Sequence, residues 1–225
     1  MANEAGSAVT VGGVSIPVWP EGQAVRPTPI ELTAQVDFGD HERYAAALTA
    51  AVLERERDPR FVDWIFKGGC GRKVRDLHRW DTPEAVLVHK RALTLCARLM
   101  GGRSVHVDSS WASVYRDGDY CMPHSHLRSV ASVLYMLDPG DPCADDEMAG
   151  RFSFCDPRLA PCCPVEPGRM THAFMPDLRA GSMLLFSSDY LHAVNPYRGT
   201  RPRITLSWNI ALAPIPGESG AWTRS

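Results

Sequence analysis

The second half of this 225-residue chain limits its fold most sharply. From residue 103 onward, short β-rich runs recur at close intervals: Val105–Arg116, Ser129–Leu137, Arg151–Cys155, Thr171–Met175, Ser182–Ser187, Leu191–Val194 and Ile204–Leu212. Gly, Pro and Asp punctuate them. Many short strands divided by turn residues predict a sandwich or a barrel, because each strand can bury only one or two faces and needs several partners. The stretches 140–150 and 157–170, rich in Pro, Asp and Cys, read as surface loops.

The first half has a different texture. Residues 1–30 hold a lead-in with one β-like run, Val9–Val18. Between Asp40 and Arg57, Ala45, Ala46, Leu48, Val52 and Leu53 recur at helical spacing, and Asp58-Pro59 stops the pattern. A second helix is predicted from Thr82-Pro83-Glu84, which combines a capping hydroxyl, a proline at the first helical position and an acid in the first turn. It runs to Met100 and ends at Gly101-Gly102. The segment Gly68-Gly-Cys-Gly-Arg-Lys73 resembles a phosphate loop only superficially. It lacks the required spacing and is expected to be a plain loop. The expected fold is therefore mainly β with N-terminal helices, a barrel flanked by two or more helices. It forms a single domain over 1–225, with a front at 1–102, a core at 103–213 and a tail at 214–225.

Composition narrows the class of function. An apolar fraction of 44% with 22% charged residues is ordinary for a globular protein. A formal charge of −2 disfavours a nucleic-acid surface, and no apolar run approaches the roughly 20 residues that span a bilayer. No signal peptide is visible after Met1. Seven cysteines, an odd number with no Cys-x-x-Cys pair, read as reduced thiols in a cytoplasmic protein. Cys162-Cys163 lies in a Pro-rich loop without an assigned role.

The stretch Tyr120-Cys-Met-Pro-His-Ser-His126 carries the chemistry. If it is extended, His124 and His126 project from one face, since strand side chains alternate with period two. His192 follows 68 positions after His124, and Arg203 opens the last strand-like run. Two neighbouring ligand-type residues, a distant histidine and a late arginine point to a mononuclear metal site inside a β-barrel.

Residues 105–212 resemble the iron(II)/2-oxoglutarate-dependent oxygenases, and among them the small bacterial branch with a His-x-His motif. The resemblance rests on His124-Ser-His126, Ser132-Val-Leu-Tyr135, Gly150–Arg158, Gly181–Phe186, His192 and Arg203–Asn209 in that order. It implies a double-stranded β-helix (jelly roll) that uses iron(II), 2-oxoglutarate and O2 and hydroxylates an unactivated C–H bond. The substrate would be a small molecule or a carrier- or peptide-bound residue. His124 and His192 would be metal ligands, and Arg203 would pair with the distal carboxylate of 2-oxoglutarate. Thr205, on the same face, would hydrogen-bond that carboxylate, with Ser207 and Asn209 continuing the row inward. Tyr115 would touch the cosubstrate.

His126 departs from the family's pattern, where a carboxylate stands in its place. It is read as a third ligand, alternatives being a substrate contact with Asp189 or Asp119 completing the set, or a preference for another metal. Trp111, Arg128 and Arg158 are candidates for substrate contact. Tyr135 is expected to be core with a satisfied hydroxyl, and His41, His78, His89 and His106 ordinary surface or core residues. His172 could line the pocket. Two other functions stay open: a cupin-like three-histidine dioxygenase that needs no 2-oxoglutarate, and a non-catalytic metal-binding jelly roll.

Overall fold

A computed structural model describes residues 7–27, 33–64, 71–101, 104–126, 128–155 and 175–212. In chain order these form β1 (Ala8–Val11), β2 (Val14–Pro17), β3 (Arg26–Pro27), β4 (Ala34–Asp37), α1 (Ala45–Glu56), β5 (Val62–Trp64), β6 (Arg72–Arg75) and α2 (Pro83–Leu99). There follow β7 (Val105–Tyr115), β8 (Cys121–His124), β9 (Ala131–Asp138), β10 (Phe152–Phe154), β11 (Ser182–Ser187), β12 (His192–Val194) and β13 (Arg203–Leu212).

The strands build the two sheets of a jelly roll. The larger has the order β3-β4-β11-β9-β13-β7-β6-β5 and the smaller β10-β12-β8, with β1-β2 a separate hairpin. All pairings in the two sheets are antiparallel. The large sheet is covered on both faces, which explains why β9 is buried along nearly its whole length rather than at alternate residues. Its outer face contributes Val133, Tyr135, Leu137, Met183, Leu185, Leu206 and Trp208 to a core closed by α1 and α2. Its inner face contributes Leu134, Leu184 and Phe186 to a second cluster with Phe152, Phe154 and Val194 of the small sheet. Strand β13 separates the two environments residue by residue. Ile204, Leu206, Trp208 and Ile210 face the helices, while Arg203, Thr205 and Asn209 are buried on the other side.

Both predicted helices are present, each slightly shorter than its sequence pattern. Thr82 occupies the position before α2 in an extended conformation with Pro83 first in the helix, but its hydroxyl makes no capping bond and is buried without a partner among the described residues. The capping expectation therefore fails in its chemistry while the boundary stands. The run Val9–Val18 is not one strand but a hairpin, because Gly12 and Gly13 take φ values of 56° and 78°, the left-handed region that turns a chain back. Arg72 and Lys73, read as loop, belong to β6, which pairs with β7. The large sheet thus draws four strands, β3–β6, from ahead of residue 103. Arg91, fully buried on α2, ties this front to the rest: it is bidentate to Asp40 at 2.6 and 2.8 Å and donates to the Val18 and Pro17 carbonyls at 2.9 and 3.0 Å. Tyr135 is core as expected, its hydroxyl within 2.6 Å of His41 Nδ1 and 2.8 Å of the Tyr44 hydroxyl.

Residues 156–174 lie outside the described residues, and with them Arg158, His172, Cys162-Cys163 and most of the expected Thr171–Met175 strand. Among the described residues, Cys96 and Cys143 are free thiols.

Candidate metal centre

The site forms where the small sheet faces the inner row of the large one. His124 ends β8 and His192 begins β12, and the two are direct cross-strand partners. His126 lies two residues beyond His124, and its backbone N–H donates to the Ser188 carbonyl at 2.7 Å. Period-two projection and this pairing bring the three rings together. Centroids are 4.3 Å apart for His124–His192, 5.0 Å for His124–His126 and 5.2 Å for His126–His192. One ring nitrogen from each lies within 4.8 Å of the others. Phe152 stacks on His192 at 5.5 Å, Phe186 meets its edge-on side at 4.9 Å, and Trp111 lies 5.9 Å from His126.

Each ring's remaining nitrogen has a neighbour. Nδ1 of His124 is 2.8 Å from the Met122 carbonyl and Nδ1 of His192 is 2.9 Å from the Tyr190 carbonyl. A carbonyl can only accept, so both Nδ1 atoms carry the proton and both Nε2 atoms keep a free lone pair. Nδ1 of His126 is 3.3 Å from the Asn209 side-chain amide. That amide also touches Ser109 and Ser132, and Ser132 in turn touches Ser188. Hydroxyls can donate or accept, so exchanging the amide oxygen and nitrogen satisfies the same partners and lets His126 donate from Nδ1 as the other two do. Burial lowers the pKa of all three histidines. His192 falls to about 3 with His124 adding to the effect, and His126 to about 4 with His124 and Lys73 adding. His124 is also lowered, burial again leading and the Met122 carbonyl opposing. Three neutral imidazoles at neutral pH are a donor set that suits a first-row transition metal.

The cavity around the rings is about 170 Å³. Trp111, Ser113 and Tyr115 line it from alternate positions of β7, as do Thr205, Ser207 and Asn209 from β13. Arg203 is 1% exposed, and both terminal guanidinium nitrogens are buried without a hydrogen-bond partner among the described residues. Its guanidinium carbon lies 5.3 Å from the centre of the Tyr115 ring. Its side chain lines a neighbouring cavity of about 410 Å³, and Phe152 lines both, standing in the wall between them. Gly150 permits this arrangement, since a Cβ there would lie 3.1 Å from Arg203 Cδ and 2.9 Å from the Tyr197 ring. A fully buried cation with two unpartnered terminal nitrogens is costly unless an anion meets it. The three nitrogens and this arginine together suit a metal and a dicarboxylate.

Of the remaining candidates, Arg128 is exposed and does not line the histidine cavity, and Arg158 is outside the described residues. Asp189 accepts from Ser187 and Asp119 from the Arg116 backbone, and neither joins the three-histidine group. Sequence reasoning missed Lys73 and Phe152. Lys73 lines the cavity from β6, and its alternation with Val74 in Arg72-Lys-Val-Arg75 was the available signal.

Residues 109–209 match the family described as "Putative 2OG-Fe(II) oxygenase". A search of curated proteins returns no match. Among solved structures, EctD from S. alaskensis in its apoform aligns with a TM-score of 0.61 at 16% identity, covering 80% of this chain and 73% of that one. The epimerase SnoN in complex with Fe3+, alpha ketoglutarate and nogalamycin RO aligns at 0.57 and 16%, covering 85% and 88%. The viral collagen prolyl hydroxylase vCPH from Paramecium Bursaria Chlorella virus-1 aligns at 0.53 and 14%, covering 81% and 97%. These likenesses show a shared fold. The matched stretch runs from β7 to β13 and includes all three histidines, so over residues 109–209 the chain is similar to the 2-oxoglutarate- and iron(II)-dependent oxygenases.

Proposed function

We propose that the protein hydroxylates an unactivated C–H bond of a small-molecule or carrier- or peptide-bound substrate, with His124, His126 and His192 holding the iron. The observation that carries this reading is the three-histidine cluster together with a buried arginine in the adjoining cavity whose two terminal nitrogens have no hydrogen-bond partner among the described residues. Bound iron(II) would activate O2, the oxidant, with 2-oxoglutarate supplying two electrons as it is converted to succinate and CO2. The protein's residues do the rest. Met122 and Tyr190 carbonyls hold two imidazoles in the tautomer that offers Nε2, and Asn209 orients the third. Arg203 binds the distal carboxylate through its planar fork, and Thr205 adds a hydroxyl from the same strand face. Tyr115 supports the Arg203 guanidinium with its ring face. Phe152 and Phe186 keep water from His192.

Reaction outcome varies on this fold: the structural neighbours include a carbocyclase, an epimerase and prolyl hydroxylases. Arg203 is the residue that favours 2-oxoglutarate chemistry over a cupin-like dioxygenase, which has no need of a cosubstrate carboxylate clamp. The test is O2-dependent conversion of 2-oxoglutarate to succinate by the iron(II)-loaded protein, screened with candidate substrates. Succinate release that rises with one substrate, together with a hydroxylated product, supports the proposal. Oxygen uptake without succinate would transfer the site to the cupin-like class, and metal binding without either would leave a binding protein.

A further inference from the structure

The inner face of β7 presents two aromatic rings four residues apart, and each has a cation on it. Arg203 reaches from β13, whose first residue pairs with Tyr115, and lies over that ring. Lys73 reaches from β6 on the other side, where it pairs with Ser113, and its ammonium is 3.7 Å from the centre of the Trp111 ring. Four strand residues span about 13 Å. One five-carbon diacid bound at the metal can engage one of these cations, and Arg203, whose two terminal nitrogens lack a partner among the described residues, is the one assigned to it.

Lys73 is then left over. It is half-buried, lines the histidine cavity and makes no ion pair or hydrogen bond among the described residues. Its cross-strand neighbour Asp63 is half exposed and pairs with Arg75 at 3.3 Å instead. An ammonium has three donors and is strongly hydrated, so drawing it into a pocket without an acceptor is unfavourable until an anion arrives. The Trp111 ring is also 5.9 Å from His126, so the ammonium is no farther from that imidazole than the two legs, 3.7 and 5.9 Å, laid end to end.

Resting on the oxygenase reading above, we propose that Lys73 on Trp111 is the substrate's anion subsite: the enzyme acts on a molecule bearing an oxyanion, a carboxylate or phosphate, within that reach of the reacting carbon. The aromatic floor gives the flanking part of the substrate an apolar surface. The cation fixes which end of it faces the metal.

Lysine occurs at only three positions, 67, 73 and 90, so the side chain can be watched directly. Full-length protein carrying 13Cε-lysine, loaded with zinc(II) as a diamagnetic metal and saturated with 2-oxoglutarate, is titrated with acetate, inorganic phosphate and acetamide. The signal missing from Lys73→Arg identifies Lys73. The proposal expects that signal to move saturably with acetate, phosphate or both while Lys67 and Lys90 stay still and acetamide does nothing. Which anion binds tighter separates a carboxylate from a phosphate substrate. Lys73→Met is expected to bind 2-oxoglutarate within about twofold of wild type. The proposal is overturned if neither anion moves the signal, or if 2-oxoglutarate itself moves it and abolishes the acetate response, which would make Lys73 a cosubstrate residue. Failure of 2-oxoglutarate to bind in the same samples would instead strike the oxygenase reading.

Discussion

Nδ1 of His126 lies 3.3 Å from the side-chain amide of Asn209, which is itself held by Ser109 and Ser132. Where the family places a carboxylate, this chain has an imidazole with a built partner behind it. The partner sets which nitrogen faces the other two histidines. Asn209→Leu removes that hold and is expected to weaken metal binding about 10–100-fold, the usual cost of losing a ligand's orienting hydrogen bond. Competition against a chromophoric chelator measures it. Unchanged affinity would show that His126 needs no orientation or is not a ligand.

Arg203 should reveal itself by opposite effects on stability and binding. Without an anion both terminal nitrogens of its buried guanidinium lack a partner among the described residues, so Arg203→Met is expected to leave the ligand-free protein as stable as wild type or more so. The same change is expected to cost about 2–5 kcal/mol in 2-oxoglutarate binding. Thermal unfolding with and without 2-oxoglutarate gives both readings. A variant that keeps the ligand-induced stabilisation would remove Arg203 from the cosubstrate site.

Arg91 is the structural counterpart, a buried arginine whose partners are all present. It joins Asp40, Tyr44 and the Val18 and Pro17 carbonyls. Arg91→Leu leaves Asp40 without its cation and is expected to destabilise by about 3–5 kcal/mol, with no specific effect on metal affinity. Chemical denaturation and metal titration separate the two.

Acid should loosen the fold through His89, which faces Trp208 at 6.5 Å. Burial lowers its pKa from 6.5 to about 4. Between those values the unfolded chain holds a proton that the folded one does not, so stability is full above pH 6.5 and falls as pH drops toward 4. His89→Gln should reduce the slope of stability against pH in that window by up to one proton. An identical slope in variant and wild type would place the acid sensitivity elsewhere.

Much of this was legible in the chain because strands alternate. His124 and His126 share a face, Trp111, Ser113 and Tyr115 line one cavity, and Thr205, Ser207 and Asn209 continue the row behind Arg203. Period-two geometry is local and survives any tertiary context. The front-half strands were harder. Arg72–Arg75 is short and charged, and it becomes a strand through its pairing with β7 on one side and β5 on the other. Lys73 was hidden for that reason. The wall that Phe152 builds between the histidine and arginine cavities depends on long-range packing, which no spacing encodes.

The most direct test is anaerobic iron(II) titration of wild type, His124→Ala, His126→Ala and His192→Ala, followed by 2-oxoglutarate while the weak visible band of the chelate is recorded. The three-histidine account predicts one iron per chain and a band in wild type, with both lost or greatly weakened in each variant. Wild-type iron affinity and an unchanged band in His126→Ala would contradict it, and would return the third coordination position to another residue.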